Sequence, residues 1–542
     1  MFAIVHKILP SRIRRKPLLI LILCVLLFTI LHLTGITESS TITLKDGEVI
    51  PCDEETQSVE NTYLESNNGL YSRIFDLIAA AKPKCHPLLR YKKENEDIQR
   101  FSKHGVKFSK KFLSSLLKIT PFQKLKLFES YETFISSYEN LNLQVFGDNE
   151  SRKISGKGIV IVGGGKFSWL ALINITQLRQ TGSNLPVEIY IPSLKDYDEV
   201  FCNSILPELN AKCVTGYKDL PLSRYKKELN LHKYEHKVMA ILASSFEDIL
   251  MLDADNFVVS APDGLFNWDI YKQYQLVLWP DAWIRTTNPF LYELFHINID
   301  TDFIPESGEY DLHDLPGAIP NPSSESGMLL VNKRMHVDTL MLSLYINTYG
   351  HDYYYPLLTQ GGAGEGDKDS FIIAAYALKK PVYQVRQETQ FLGYYEGEHY
   401  YSFGLGQCDP TTKDERQAHI DNVREVFCPK FAFVHLSNPK YYPKDMTEIA
   451  YDDNGNDLVL LRNLNVGYNL ELQIWEIVCQ LLCRYYKENK IHPGEPASSL
   501  INPKMRQTGK KLACLSGVPI EKMCGSKLLP HLEFLREYFK QK

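Results

Sequence analysis

At 542 residues the chain is long enough for two or three ordinary domains, or for one large domain with additions. It is 44% hydrophobic and 23% charged with a formal net charge of −5, an ordinary globular balance that gives no reason to expect a nucleic-acid partner. The 32 tyrosines suit sugar binding, and they equally fill cores.

Lys7, Arg12, Arg14, Arg15 and Lys16 precede an almost uninterrupted apolar run from Leu18 to Leu33. With its flanks, the run approaches the ~20 residues that cross a bilayer as a helix. Positive charge before the run and Glu38, Asp46 and Glu48 after it orient the chain as a single-pass, type II membrane protein. The expected layout is a cytoplasmic tail over 1–16, a transmembrane signal-anchor over 17–36 and a flexible luminal stem over 37–69. A cleaved signal peptide is the competing reading, disfavoured by the long apolar stretch and the lack of a small-x-small cleavage site.

Cysteine usage agrees with that topology. Cys24 lies in the apolar run, and ten others follow it, an even number that fits a disulfide framework. Cys202 with Cys213, Cys408 with Cys428 and Cys514 with Cys524 are the close pairs. Cys479 and Cys483 lack the further ligands that a zinc site needs. Asn149-Glu-Ser and Asn174-Ile-Thr are N-glycosylation acceptors, the second inside an apolar helical pattern that would bury it.

Apolar stripes at helical spacing, broken by Pro83, Pro87 and Pro121, predict a helical subdomain over 70–150. From Gly156 the pattern changes to strand, glycine turn and amphipathic helix. A second strand over Leu185–Pro192 makes this a β-α-β alternation, which implies an α/β fold with a mostly parallel sheet flanked by helices. The turn Gly163-Gly164-Gly165-Lys166 lets the backbone approach a ligand, and the helix start after it favours phosphate. It lacks the spacing of a dinucleotide fingerprint or a P-loop, so a plain tight connection stands equally beside that reading.

A helix over Leu231–Ser245 carries Lys233 and Lys237 and feeds the apolar run Ile249–Leu252. Asp253 and Asp255 follow that strand at once, with no basic residue nearby in sequence to neutralise them. Residues two apart on extended backbone point the same way, so both carboxylates face one ligand. Such a pair suits a hard divalent cation, whereas an acidic turn with local backbone bonds is the bland alternative. Ligands of open α/β sheets collect at the carboxyl ends of strands, where these aspartates fall.

Downstream, the run Leu276–Trp283 ends with Asp281 between two tryptophans, either a sugar platform or two core residues. A polar, proline-rich connection of about 299–323 reads as a functional loop or lid. Ser324-Glu325-Ser326-Gly327 opens the strand MLLVN, and a glycine-dense loop holds Asp367 and Asp369 before the helix FIIAAYAL. Helix capping explains one of those two acids but not the glycines. The strand from Phe431 ends in His435, with Lys440 five residues on; a strand-end histidine suits a metal and a lysine suits a phosphate, though a lone histidine is more often structural.

The ordered motifs GIVIVGGG, ILMLDADN, WPDAW, SESGMLLVNK, GDKDSF and VHLSNPKYYP resemble those of the fungal Golgi α-mannosyltransferases of glycosyltransferase family 71, over about 154–442. The resemblance is to the α-1,2-mannosyltransferases that start mannan branches more than to the terminal α-1,3 enzymes. It implies a GT-A-like catalytic domain over 154–542, GDP-mannose as donor, Mn²⁺ as cofactor and an N-linked mannan acceptor, in the Golgi membrane with the catalytic domain luminal. By that resemblance Asp253 and Asp255 hold the metal with His435, and Lys440 meets the diphosphate. The glycine turn with Lys166, together with Lys237 and Asp253, would contact the donor. An α-linked product from GDP-α-mannose means retention. Glu325, Asp367 and Asp369 are the candidate nucleophiles for a double displacement. The favoured alternative is same-face attack, with Asp281 and the acids of GDKDSF positioning acceptor hydroxyls. An α-1,3 enzyme of the same family, or a non-catalytic mannan-binding subunit of a Golgi complex, are the other readings.

Overall fold

The computed structural model describes residues 72–89, 105–140, 154–216, 229, 231, 234–420, 428, 430–437, 440–464, 466–483, 505 and 507–541. The expected tail, anchor and stem, together with Cys24, Cys52, Asn149 and Lys233, lie outside the described residues. Among the described residues, no helix is long and apolar enough to cross a membrane.

The strands are β1 (Lys157–Val162), β2 (Val187–Ile191), β3 (Ala211–Thr215), β4 (Asp248–Leu252), β5 (Asn256–Val258), β6 (Leu276–Pro280), β7 (Ser324–Asn332), β8 (Tyr383–Gln384), β9 (Gln390–Glu396), β10 (His399–Cys408) and β11 (Phe431–His435). Seven form one sheet in the order β3-β2-β1-β4-β7-β6-β8, and four form another in the order β5-β11-β10-β9. The first sheet is mixed. Strands β3, β2, β1 and β4 run parallel, as the β-α-β alternation predicts, whereas β7 runs antiparallel to both β4 and β6. The second sheet is antiparallel throughout.

Central strands are buried over most of their length because helices cover both faces of the sheet. On β4, Leu250 and Leu252 join one core while Ile249 and Met251 join the other. That is the two-residue alternation of an extended chain. The first core takes Trp169, Leu172 and Ile175 from α3 (Phe167–Gln180) and Trp475 and Val478 from α7 (Leu470–Leu482). The second takes Val238 and Ile241 from α4 (Glu235–Ala243), Leu340 from α5 (Val337–Thr348) and Phe371 from α6 (Ser370–Ala377). Helices α1 (Lys110–Leu116) and α2 (Pro121–Asn140) add Leu113, Leu127, Tyr131 and Phe134 to this second core. They are therefore continuous with the sheet. Each such apolar side chain contributes about 1.5–3 kcal/mol of transfer free energy.

Residues beyond 451 complete the first core, with Leu532 and Leu535 on α8 (Leu529–Lys540) packed against α7. Glu471, in the first turn of α7, accepts the amides of Leu460 and Leu461 at 3.0 and 2.9 Å. Its burial pushes the carboxyl up to about 7 against those two bonds.

Cys202–Cys213 and Cys408–Cys428 are disulfides, as their spacing suggested. Cys524 pairs with Cys483 and not with Cys514, because the helical turn Cys524–Leu528 packs at the end of α7. Asn174 is buried on α3, as its apolar surroundings predicted. The 299–323 connection is tethered: Asp311 accepts the Phe108 amide at 2.6 Å, and His313 is sealed between Tyr292 and the Ile319 carbonyl.

Candidate active site

Asp253, Ala254 and Asp255 form the crossing between the two sheets, since β4 ends at Leu252 and β5 starts at Asn256. Their backbone is held from three sides. The Asp253 amide and the Asn256 side chain both donate to the Gly327 carbonyl, at 2.9 and 2.7 Å. Asn174 reaches from α3 and donates to the carbonyls of Asp253, Ala254 and Asn256 at 3.2, 3.3 and 2.8 Å. The Leu436 amide donates to the Asp255 carbonyl at 3.0 Å.

In the second sheet β11 places His435 opposite Asn256, one residue from Asp255. His435 Nε2 lies 3.4 Å from Asp255 Oδ1. Asp253, Asp255 and His435 each offer a ligand atom within 4.8 Å of the others. Burial opposes charge on the imidazole, but Asp255 and Glu325 flank it and hold its pKa well above 6.5. His435 Nδ1 is buried without a hydrogen bond, 3.8 Å from Glu325 Oε1. Two carboxylates and an imidazole form a donor set suited to a divalent metal ion.

The aspartates are not free of cations, as their sequence neighbourhood suggested. Lys237, 7% exposed on α4, lies 3.1 Å from Asp253 and 3.2 Å from Asp367, and it donates to the Ser326 carbonyl at 2.7 Å. Burial works against its charge, yet Asp253 and Asp367 outweigh that and raise its pKa. A buried lysine is retained only with such partners. Lys440 bonds Asp255 from the segment after β11. Burial would raise the Asp255 carboxyl, but His435 and Lys440 hold it well below the usual range.

Glu325 stands at the start of β7 and accepts the amides of Ser326 and Gly327 at 2.8 and 2.7 Å. Burial opposes its charge, but His435 and the Gly327 amide bring its pKa down to about 2. Asp281 accepts Lys368 Nζ at 2.7 Å and the Ala282 amide at 2.6 Å. Its burial, with Glu325 nearby and against the pull of Lys368, pushes the carboxyl up to about 6.

The glycines of the 361–366 loop have a reason here. Gly364 has φ of +75°, and a Cβ on it would stand 2.5 Å from Lys368 Nζ. Only glycine lets that lysine fold back onto Asp281.

Asp369 does not join the others. It stands at the N-cap of α6, but its side chain caps no helix amide; the carboxylate instead accepts Arg285 at 2.7 Å and the Ser324 amide at 2.9 Å. Arg285 is wholly buried, so this pair is a strut of the core.

The glycine turn uses its own amides internally. Gly163 donates to Tyr190 O, Gly165 to Asp196 O and Phe167 to Gly164 O, at 3.0, 2.8 and 3.1 Å. Asp196 packs where side chains on Gly164 and Gly165 would be. A carboxylate in that place disfavours a phosphate. Lys166 sits 5.7 Å from the Tyr442 ring, and Trp169 donates to Tyr441 O at 2.9 Å, so the turn borders the Lys440 segment.

Sequence reasoning missed Ser326, Lys368, Asn174 and Asn256, whose partners lie dozens of residues away. The one signal available was the glycine density around Lys368.

A family model described as "Mannosyltransferase putative" matches residues 156–419, which span Asp253, Asp255, Asp281, Glu325, Asp367 and Asp369. The α-1,2-mannosyltransferase MNN2 of Candida albicans is 36% identical over 79% of this chain and 77% of its own length. The α-1,2-mannosyltransferase MNN2 of Saccharomyces cerevisiae is 35% identical over 77% and 79%. The chain belongs to this mannosyltransferase family. Mouse xyloside xylosyltransferase 1 aligns with 43% of the mannosyltransferase and 88% of its own chain at 15% identity and a TM-score of 0.27, a likeness too small to argue from. The mannosyltransferase is thus a glycosyl-transferring enzyme.

Proposed function

We propose that this mannosyltransferase takes mannose from GDP-mannose and adds it in α-1,2 linkage to the mannan of N-linked glycans, in a GT-A-like domain. The observation that carries the reading is the convergence of Asp253, Asp255 and His435 at the crossing between the two sheets. Asp253, Asp255 and His435 would hold Mn²⁺, which would supply positive charge against the diphosphate as it leaves. Lys440, at the open side of Asp255, turns to the diphosphate, and Lys237 keeps Asp253 and Asp367 in place.

The transfer runs by same-face attack. The acceptor oxygen bonds the anomeric carbon on the side that the diphosphate leaves, and the acceptor proton passes to a phosphate oxygen. Asp281, held by Lys368, positions the acceptor hydroxyl. This fits the condition of the other acids: Glu325 is tied by two amides, Asp367 by Lys237 and Ser326, and Asp369 by Arg285.

The apolar run over 17–36 anchors the chain in the Golgi membrane as a single-pass type II protein, with this domain in the lumen. Three disulfides among the described residues support an oxidising compartment.

The test is transfer from GDP-mannose to an α-mannose oligosaccharide with Mn²⁺, followed by digestion of the product with linkage-specific mannosidases. Product cleaved by an α-1,2-mannosidase is expected. No transfer by the wild type, or full activity in Asp253→Ala, overturns the reading.

A further inference from the structure

The antiparallel hairpin of β9 and β10 carries large rings into solvent where a core would hide them. Phe391 is 42% exposed and Tyr395 is 68% exposed. Both stand on one face of β9, four residues and about 13 Å apart along an extended strand. Gly393 lies between them because the Tyr401 carbonyl of the bulged partner strand fills the space of a side chain. Next to Tyr395, Tyr400 packs at 4.8 Å between ring centroids and donates its hydroxyl to the Phe391 carbonyl at 2.9 Å. Asn463 fixes the same edge, accepting the Gly393 amide and donating to Phe391 O and the Tyr400 hydroxyl.

The ridge has a direction. Trp283 meets Phe391 edge to face at 6.1 Å. The Trp283 carbonyl accepts Ser323, and Ser323 accepts Lys368, the lysine bonded to Asp281. Tyr395, Phe391 and Trp283 thus lead toward Asp281, the last of them through its main-chain carbonyl, Ser323 and Lys368. Aromatic faces bury the apolar faces of pyranose rings, while the Tyr395 hydroxyl meets sugar hydroxyls. None of these groups is charged, which matches a neutral glycan and not the diphosphate donor.

We propose that the ridge Tyr395–Phe391–Trp283 binds the acceptor α-mannan chain beyond the mannose that receives the transfer, and so selects long acceptors over short ones. The proposal rests on the mannan-acceptor reading above.

The test compares a mannose disaccharide with a long α-mannose oligosaccharide in wild-type enzyme, Tyr395→Ala and Phe391→Ala. Phe122→Ala, exposed on α2, serves as the unrelated control. The KM for the long acceptor is expected to rise about tenfold in both ridge variants relative to the disaccharide, with kcat and melting temperature kept. In parallel, the long oligosaccharide without donor is expected to change the tryptophan fluorescence of the wild type and not of Trp283→Phe. A wild type that binds this way but transfers nothing sinks the mannan-acceptor activity and keeps the ridge. A wild type that transfers normally while the ridge variants shift both acceptors equally, or neither, sinks the ridge. Self-association lost in Tyr395→Ala with unchanged KM assigns the ridge to a second copy of the chain and overturns the proposal.

Discussion

Gly327 and His435 are fitted to each other: a Cβ on Gly327 would stand 2.8 Å from His435 Nδ1. The same residue supplies the carbonyl that anchors Asp253 and Asn256. Gly327→Ala is expected to push the imidazole out of line with Asp253 and Asp255. Groups that orient metal ligands are worth about 10–100-fold in metal affinity or activity. A Mn²⁺ titration of transfer activity, with the melting temperature as control for folding, reads this effect. Unchanged Mn²⁺ dependence would argue against His435 as a ligand.

Asp253 and Asp369 are expected to separate chemistry from stability. Asp253→Asn removes a metal ligand from a half-buried position, and activity should fall about 10²-fold or more, with a smaller drop in the urea midpoint than in the Arg285 variant because Asp367 still pairs with Lys237. Arg285→Met strands the buried Asp369 carboxylate, a change that costs about 3–5 kcal/mol in comparable pairs. Urea unfolding of both variants, beside the specific activity of the folded fraction, checks the contrast.

Asp281 gives the activity a pH limb. Its carboxyl titrates at about 6, so the ionised form that accepts an acceptor hydroxyl grows as pH rises through that value. The kcat/KM for acceptor should climb with it. Asp281→Asn should lose that limb and about 10–100-fold of activity above it, the worth of a hydrogen bond to a charged group. A pH profile with the limb intact in the variant would assign it elsewhere.

Glu471 sets a stability trend of the opposite sense. Its folded-state carboxyl is raised from 4.5 to about 7, so the folded chain holds a proton that the unfolded chain releases. Stability from this group is present in full below 4.5 and is lost as pH rises through 7, on the order of 3 kcal/mol. Glu471→Gln should flatten urea midpoints over that window.

The strands β1 and β4, the helix α3 after the first and the helix α4 before the second were legible in sequence because each buries itself locally, by unbroken apolar runs or helical stripes. The aspartate pair was legible because it sits where a strand stops. The direction of β7 was not, since a buried run such as MLLVN looks the same in parallel and antiparallel pairing. The second sheet was invisible: β5 has three residues, and its partners lie more than a hundred residues on. Lys237 and Lys440 read as donor contacts, but their pairing with Asp253 and Asp255 was hidden, because it forms only where α4 and the segment after β11 come together. The Lys368–Asp281 pair spans 87 residues, a separation that no local pattern records.

The side chain of Asn174, bonded to three carbonyls of the Asp253–Asn256 turn, also belongs to an Asn-Ile-Thr acceptor sequence. An amide nitrogen carrying an oligosaccharide has no room on a buried helix and keeps a single hydrogen for three acceptors. In any compartment that glycosylates such sequences, the two fates of this residue exclude one another. Helix α3 must close over the turn before the modifying enzyme reaches it. Delay in that step would yield a sugar-bearing chain barred from assembling its own catalytic centre, a race between folding and modification decided at one nitrogen atom.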